Sequence, residues 1–270
     1  MKDKRKAIHF SGKQLAVYGL TVTAAILLSN LLKKNMDEFG RKIVSCTMDG
    51  AFVWAADKSL VLGLIPIIMT VYTGIIIDVQ LRPVCVVRTQ SRWKIWLEEE
   101  KIIWILSAAT IVYAMILSTI MSCILNHGVM TWNDITAELP WCGYRDMLML
   151  SYGDGDTIWE FSYLRGVILV VLINSIEITI LVTAGNLMYW TTGKRISSVL
   201  AVAAFCVPVG INRSTTLRWL TRYGFKMMEQ DFYAELMVPA RLLKVCILLV
   251  LCVVLLYLWA KLVVKRKNFY

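Results

Sequence analysis

Long apolar runs alternate with short charged segments along this chain, and the alternation predicts its elements. Residues 15–32, 60–77, 102–125, 166–190, 196–211 and 242–264 are the apolar runs. Roughly twenty helical residues cross the hydrocarbon of a bilayer, so each run reads as a transmembrane helix. The second contains Pro66, which removes a backbone hydrogen bond and predicts a kink that neighbouring helices tolerate. The fifth is short, about 24 Å of helix, and Pro208 and Gly210 near its far end leave it open to unwinding there. The expected fold is all-α: a polytopic membrane protein with six transmembrane helices. No repeat or linker divides the chain, so residues 1–270 form a single transmembrane domain.

The segments between the runs carry the remaining pattern. Residues 1–14 are basic, with Lys2, Lys4, Arg5, Lys6 and Lys13 ahead of the first run. The run is long for a signal-peptide core and lacks a small-x-small cleavage pattern, so it reads as a retained span. Residues 7–14 suit an interfacial lead-in helix. Residues 126–164 form an acidic loop, with Asp134, Glu138, Asp146, Asp154, Asp156 and Glu160 against Arg145 alone. Trp132, Trp141 and Trp159 suit flanks resting at the interface. Asp154-Gly155-Asp156 hints at calcium, but Ile158 stands where a loop site needs a third oxygen donor, so a turn is the better reading. Residues 212–241 read as short amphipathic helices, with Leu217, Leu220, Gly224 and Met227 on one stripe and Arg218, Arg222 and Lys226 on another. That basic stripe suits snorkelling to phosphates, with binding of an anionic ligand as the alternative.

Composition agrees with a membrane class. The 270 residues are 58% hydrophobic and 18% charged, with mean hydropathy +0.62, more apolar than one soluble core accommodates. The net charge of +10 needs no nucleic acid, because Lys and Arg at span ends face anionic headgroups. Six spans put both termini on one side. Lys and Arg are in slight excess there, which makes that side cytoplasmic. Cys46 and Cys142 both fall in loops placed outside. A disulfide between them is geometrically conceivable but unsupported by spacing, and the span cysteines read as small apolar residues.

Two features carry candidate chemistry. Residues 82–101, RPVCVVRTQSRWKIWLEEEK, are a charged island between the second and third runs and belong at a membrane face. As a helix from about Val86, the island sets Val86, Trp93 and Leu97 on one side, with Arg88, Arg92 and Lys94 around the rest and Glu98, Glu99 and Glu100 closing it. Such a helix either lies on headgroups, anchored by Trp93 and Trp96, or docks on a soluble partner. Its compactness and mixed charge favour docking. The second feature is Glu177, the ionisable residue in mid-span, with Asn174 and Ser175 beside it. It must face a bundle interior, a cavity or a partner helix. There it either meets cargo and titrates during transport, or holds helices together by hydrogen bonding, with Asn174 or a partner chain as its counterpart.

Other chemistry is absent from the sequence. There is no GxxxxGK[ST] phosphate loop, no HExxH and no GxSxG. His9 and His127 are the two histidines, far apart, and the run Glu98 to Glu100 has no matching ligand set on the following spans. No catalytic, cofactor or metal site is expected in this chain.

The run Val87-Arg88-Thr89-Gln90-Ser91-Arg92-Trp93-Lys94-Ile95-Trp96 is similar to the aliphatic–Arg–x–x–Ser–Arg–x–x–Trp segment after the second span of certain permeases. With the basic interfacial start and the KRKNFY tail, the layout resembles the small six-span permease subunits of type-two ABC exporters, especially bacterial bacteriocin and lantibiotic self-protection systems. The resemblance implies that the island is a coupling helix on a cytosolic ABC ATPase, through Arg88, Arg92, Trp93, Lys94, Trp96, Leu97 and Glu98. It implies re-entrant outer helices over 212–241, a second permease chain (identical or not), and ATP with Mg bound by the partner rather than by this chain. A bacterial plasma-membrane permease expelling an amphipathic or peptide substrate follows as the expected function. The alternative is a membrane sensor or scaffold subunit that binds a peptide or lipid through its outer loops without transport. The acidic loop 126–164 is less typical of the family.

Overall fold

The computed structural model describes residues 12–35, 63–80, 91–125, 163–210 and 239–266. Among them there are six helices and no strand: α1 (Gly12–Asn35), α2 (Ile65–Gln80), α3 (Arg92–Leu125), α4 (Tyr163–Thr192), α5 (Arg195–Gly210) and α6 (Pro239–Arg266). Each overlaps one apolar run, with ends shifted by a few residues except at the start of α3, which precedes its run. Three contain stretches long and apolar enough to cross a membrane: Arg92–Met121, Val167–Thr192 and Leu242–Val264. The apolar portions of the other three are shorter, Gly12–Leu28, Ile65–Ile75 and Arg195–Ala204. The protein is an all-helical membrane protein in its described part.

Side-chain contacts fix the relative directions of the helices. Tyr18 pairs with Thr110 and Thr23 with Tyr113, so α1 runs parallel to α3. Thr179 pairs with Ser107 and Thr183 with Glu100, so α4 runs antiparallel to α3. Trp96 meets Tyr257, and Ala260 and Val264 lie in the same cluster, which puts the C-terminal part of α6 beside the start of α3. The six helices therefore alternate in direction. The beginnings of α1, α3 and α5 share one end of the bundle with the finishes of α2, α4 and α6.

Helix α4 is the hub, packed against α2, α3, α5 and α6. One apolar cluster joins α1 to α4 through residues such as Tyr18, Ile26, Met69, Ile111 and Ile178. A second lies at the shared end and joins α3, α4 and α6 through Ile95, Trp96, Leu187, Trp190, Ala260 and Val264. Helix α6 is the least enclosed, with only 6% of its apolar window buried against 50% for α4. Its leucine-rich surface suits contact with lipid, which is as apolar as the side chains it meets.

Threonines link the helices without stranding a polar atom. Thr110, Thr23 and Thr21 each donate to a carbonyl one turn back, Leu106, Gly19 and Val17, at 2.7, 2.7 and 2.8 Å. Having given away its only hydrogen, each hydroxyl is left to accept from a tyrosine on a neighbouring helix. Tyr18 donates to Thr110 and Tyr113 to Thr23, both at 2.6 Å, and Tyr72 to Thr21 at 3.3 Å. Backbone satisfaction inside each helix is obligatory in hydrocarbon, and these hydroxyls preserve it while bridging outward.

The expectations on helix shape need two corrections. The third span does not begin after the island. Instead α3 is one continuous helix of 34 residues, about 51 Å, and the island from Arg92 onward is its first part. Nothing between Glu98 and Ile103 breaks a helix, and the inward residues Glu99 and Glu100 are hydrogen-bonded to α4. Pro66 is the second residue of α2, directly after a wider π turn at Gly63 and Leu64, the two features that bend a helix. Helix α5 continues through Pro208 to Gly210 instead of unwinding. Residues 7–11, 36–62, 81–90, 126–162 and 211–238 lie outside the described residues. With them lie Arg88, Cys46, Cys142, the acidic loop, and Arg218, Arg222 and Lys226.

Helices α4 and α5 form the tightest pair. Gly193 takes a φ of 71°, and its N–H donates to the Tyr189 carbonyl at 2.8 Å, closing α4 in the left-handed conformation glycine adopts without strain. Farther along, a Cβ on Gly185 would come within 2.5 Å of Val202 Cγ2 and 3.3 Å of the Ser198 carbonyl oxygen. Gly185→Ala is therefore expected to lower stability by about 1–3 kcal/mol through overpacking. Gly74→Ala, where a Cβ meets nothing within 4 Å, leaves stability unchanged or raises it by up to about 1 kcal/mol. Thermal unfolding of both variants in detergent, side by side, checks the contrast.

Candidate functional site

The candidate site grows from the polar positions of α4. Thr179, Thr183, Asn186 and Trp190 recur at spacings of four, three and four, which puts them on one helical stripe. Every member meets a polar partner on another helix. Thr179 Oγ1 and Ser107 Oγ pair at 3.1 Å. The Asn186 amide donates to Thr73 Oγ1 of α2 at 3.3 Å. The Thr183 hydroxyl donates to Glu100 Oε2 at 2.8 Å, and the Trp190 indole N–H donates to Glu99 Oε2 at 3.0 Å. This seam climbs from the interior of the bundle to its basic end.

The island divides along it. Ser91 caps α3, its Oγ accepting from the Lys94 N–H at 3.4 Å. From there the helix turns two faces to different surroundings. Ile95, Trp96, Glu99 and Glu100 point inward, with Trp96 0%, Glu99 4% and Glu100 2% exposed. Lys94, Leu97, Glu98 and Lys101 are exposed on the other face, with Arg92 and Trp93 half-buried between. Trp93 stacks on Trp96 at 4.8 Å, and Trp96 meets Tyr257 edge-on at 4.9 Å. Of the residues expected to dock, Trp96 is thus an internal anchor, while Lys94, Leu97 and Glu98 are available at the surface.

Glu99 and Glu100 were expected to close a solvated helix. They are buried because α4 and α6 cover them, and each has one oxygen held by a neutral donor. The other oxygen of each, with Trp96 Nε1, makes no hydrogen bond. The polar stripe of α4 was also missed, although its spacing is visible in the sequence. Asn174, Ser175 and Glu177 do lie inside the bundle. Asn174 and Ser175 are buried, and the Ser175 hydroxyl donates to the Val171 carbonyl at 2.5 Å. Glu177 is 7% exposed, and its Oε1 has no hydrogen-bond partner. Glu177 does not belong to the stripe. Among the described residues no group of three His, Cys, Asp or Glu could hold a metal.

The end of the bundle where Glu99 and Glu100 lie is basic at its surface. Lys13, Lys94, Lys101, Lys194, Arg195 and Lys261 are exposed there. Lys and Arg gathered at one end of the bundle suit a membrane face with anionic headgroups.

Removing a donor from the seam exposes its worth. Trp190→Phe leaves Glu99 with no hydrogen bond and is expected to cost about 1–3 kcal/mol. Trp190→Phe combined with Glu99→Leu recovers part of that loss, because no polar atom is then stranded. Melting temperatures of the single and double variants in one detergent decide it: a single variant as stable as wild type overturns the structural role of this bond. No family model, curated protein or solved structure matches the chain.

Proposed function

We propose that the chain is the membrane-spanning permease subunit of an ABC exporter. It crosses the bacterial plasma membrane six times, with both termini cytoplasmic. A separate cytosolic ATPase, which binds ATP and Mg, docks on the start of α3, and a second permease chain completes the pathway. The cargo is an amphipathic or peptide substrate, in the manner of antimicrobial-peptide self-protection systems. One observation carries this reading. Helix α3 runs unbroken from an exposed, mixed-charge face into the bundle, and Glu99 and Glu100 hydrogen-bond it to α4 where it enters.

Such a helix is suited to act as a lever. A helix about 51 Å long exceeds the roughly 30 Å hydrocarbon core, so its charged start projects to the membrane face. Displacement of the exposed residues Lys94, Leu97, Glu98 and Lys101 would pass along α3 and, through the two carboxylates, into α4. Because α4 touches α2, α5 and α6 as well, it would distribute the motion. The energy comes from the differential affinity of the ATPase for ATP in its two conformations.

A pull-down from the native host tests the proposal. Wild-type chain in mild detergent is expected to recover an ATPase. Lys94→Glu/Glu98→Lys, which inverts two exposed charges, is expected to reduce that recovery about ten-fold or more without altering the melting temperature. Arg92→Glu/Trp93→Ala is expected to lose the ATPase as well. An ATPase that stays bound to both variants, or none recovered with wild type, overturns the reading.

A further inference from the structure

The outer side of the contact between α3 and α6 holds a shallow groove lined by Trp93, Val253, Val254, Tyr257, Leu258 and Lys261. The α6 residues fall at i, i+1, i+4, i+5 and i+8, a single strip of the helix about 12 Å long. One wall is firm, since Trp93 is stacked on the fully buried Trp96, and Trp96 is held edge-on by Tyr257. The floor is apolar along the strip. The one charged residue lining it is Lys261, which is exposed and lies at the basic end of the bundle. No acidic residue contributes to the lining.

We propose that this groove binds one anionic phospholipid. An acyl chain lies along Val253, Val254 and Leu258, and the phosphate sits at the Lys261 ammonium between the Trp93 and Tyr257 rings. Depth and chemistry agree. Indole and phenol rings occupy the headgroup level, and a lysine near a helix end reaches the same level. The strip runs from Lys261 back into the apolar part of α6, the direction an acyl chain takes. A protein helix seated in the groove would have to bring its own acidic residue to a surface already bathed in lipid phosphate. The Lys261 ammonium in the groove selects against zwitterionic lipid, whose own ammonium cancels the attraction of its phosphate. The proposal rests on the membrane character of α6 and is independent of what the chain transports.

Native mass spectrometry of the purified full chain tests it, with phosphatidylglycerol and phosphatidylcholine of identical acyl chains added in turn. Wild type is expected to retain the first about five-fold more than the second, the worth of one lysine at an anionic surface. Lys261→Ala is expected to abolish the preference while still retaining lipid. Val254→Trp, which fills the groove, is expected to lose one retained lipid of either kind. Equal retention of both lipids by wild type overturns the proposal, as does a preference that survives Lys261→Ala. A shift in oligomeric state with Val254→Trp at unchanged lipid retention would assign the groove to a second copy instead. If Val254→Trp fails to fold, the headgroup comparison between wild type and Lys261→Ala decides alone.

Discussion

The structure depends on a constraint that water does not impose: inside hydrocarbon, a polar side chain must find its partner within the protein. Helix α4 places four polar residues on one stripe, and each is answered from α2 or α3. Between chemically similar apolar surfaces little else fixes which helices meet and at what height, because lipid tails solvate leucine as well as a neighbouring helix does. Hydrogen bonds such as Thr183 to Glu100 therefore set the register of α3 against α4. Apolar packing of Trp96, Leu187 and Trp190 then fills the space around them.

The same constraint explains the division of labour among the helices. Helix α4 carries the polar stripe and is enclosed. Helix α6 carries none and lies on the outside. Helix α1 sits between these extremes, held to α2 and α3 by tyrosine-to-threonine hydrogen bonds that leave its backbone intact. Where α4 and α5 approach closely, at Gly185, it is the absent side chain that permits contact with Ser198 and Val202.

Helix positions were legible from the apolar runs because span length and hydropathy are local properties. Residues 166–190 were expected as a span, and α4 covers Tyr163–Thr192. The internal location of Asn174 and Glu177 was legible too, since hydrocarbon leaves a mid-span carboxylate few other places. What could not be read was the role of the island. Trp93 and Trp96 have identical composition and nearly adjacent positions, yet one borders a groove and the other is fully buried. Glu98, Glu99 and Glu100 likewise look alike in sequence. Only the presence of α4 and α6 on one side of α3 turns the second and third inward, and such long-range packing has no local signature. The α4 stripe was readable in principle, but Thr and Trp in an apolar run do not announce themselves as polar until their spacing is counted.

The short connection at Gly193 bears on how the fold comes together. Two residues separate α4 from α5, and a hydroxyl pair between Thr192 and Ser197 fastens the corner. Helix α5, with 16 residues, is shorter than the hydrocarbon is thick, and Ser197 and Ser198 stand near its start. A corner this tight makes the two helices one antiparallel hairpin. The longer helix lies along the shorter one, so α5 has its main packing partner directly before it in the chain.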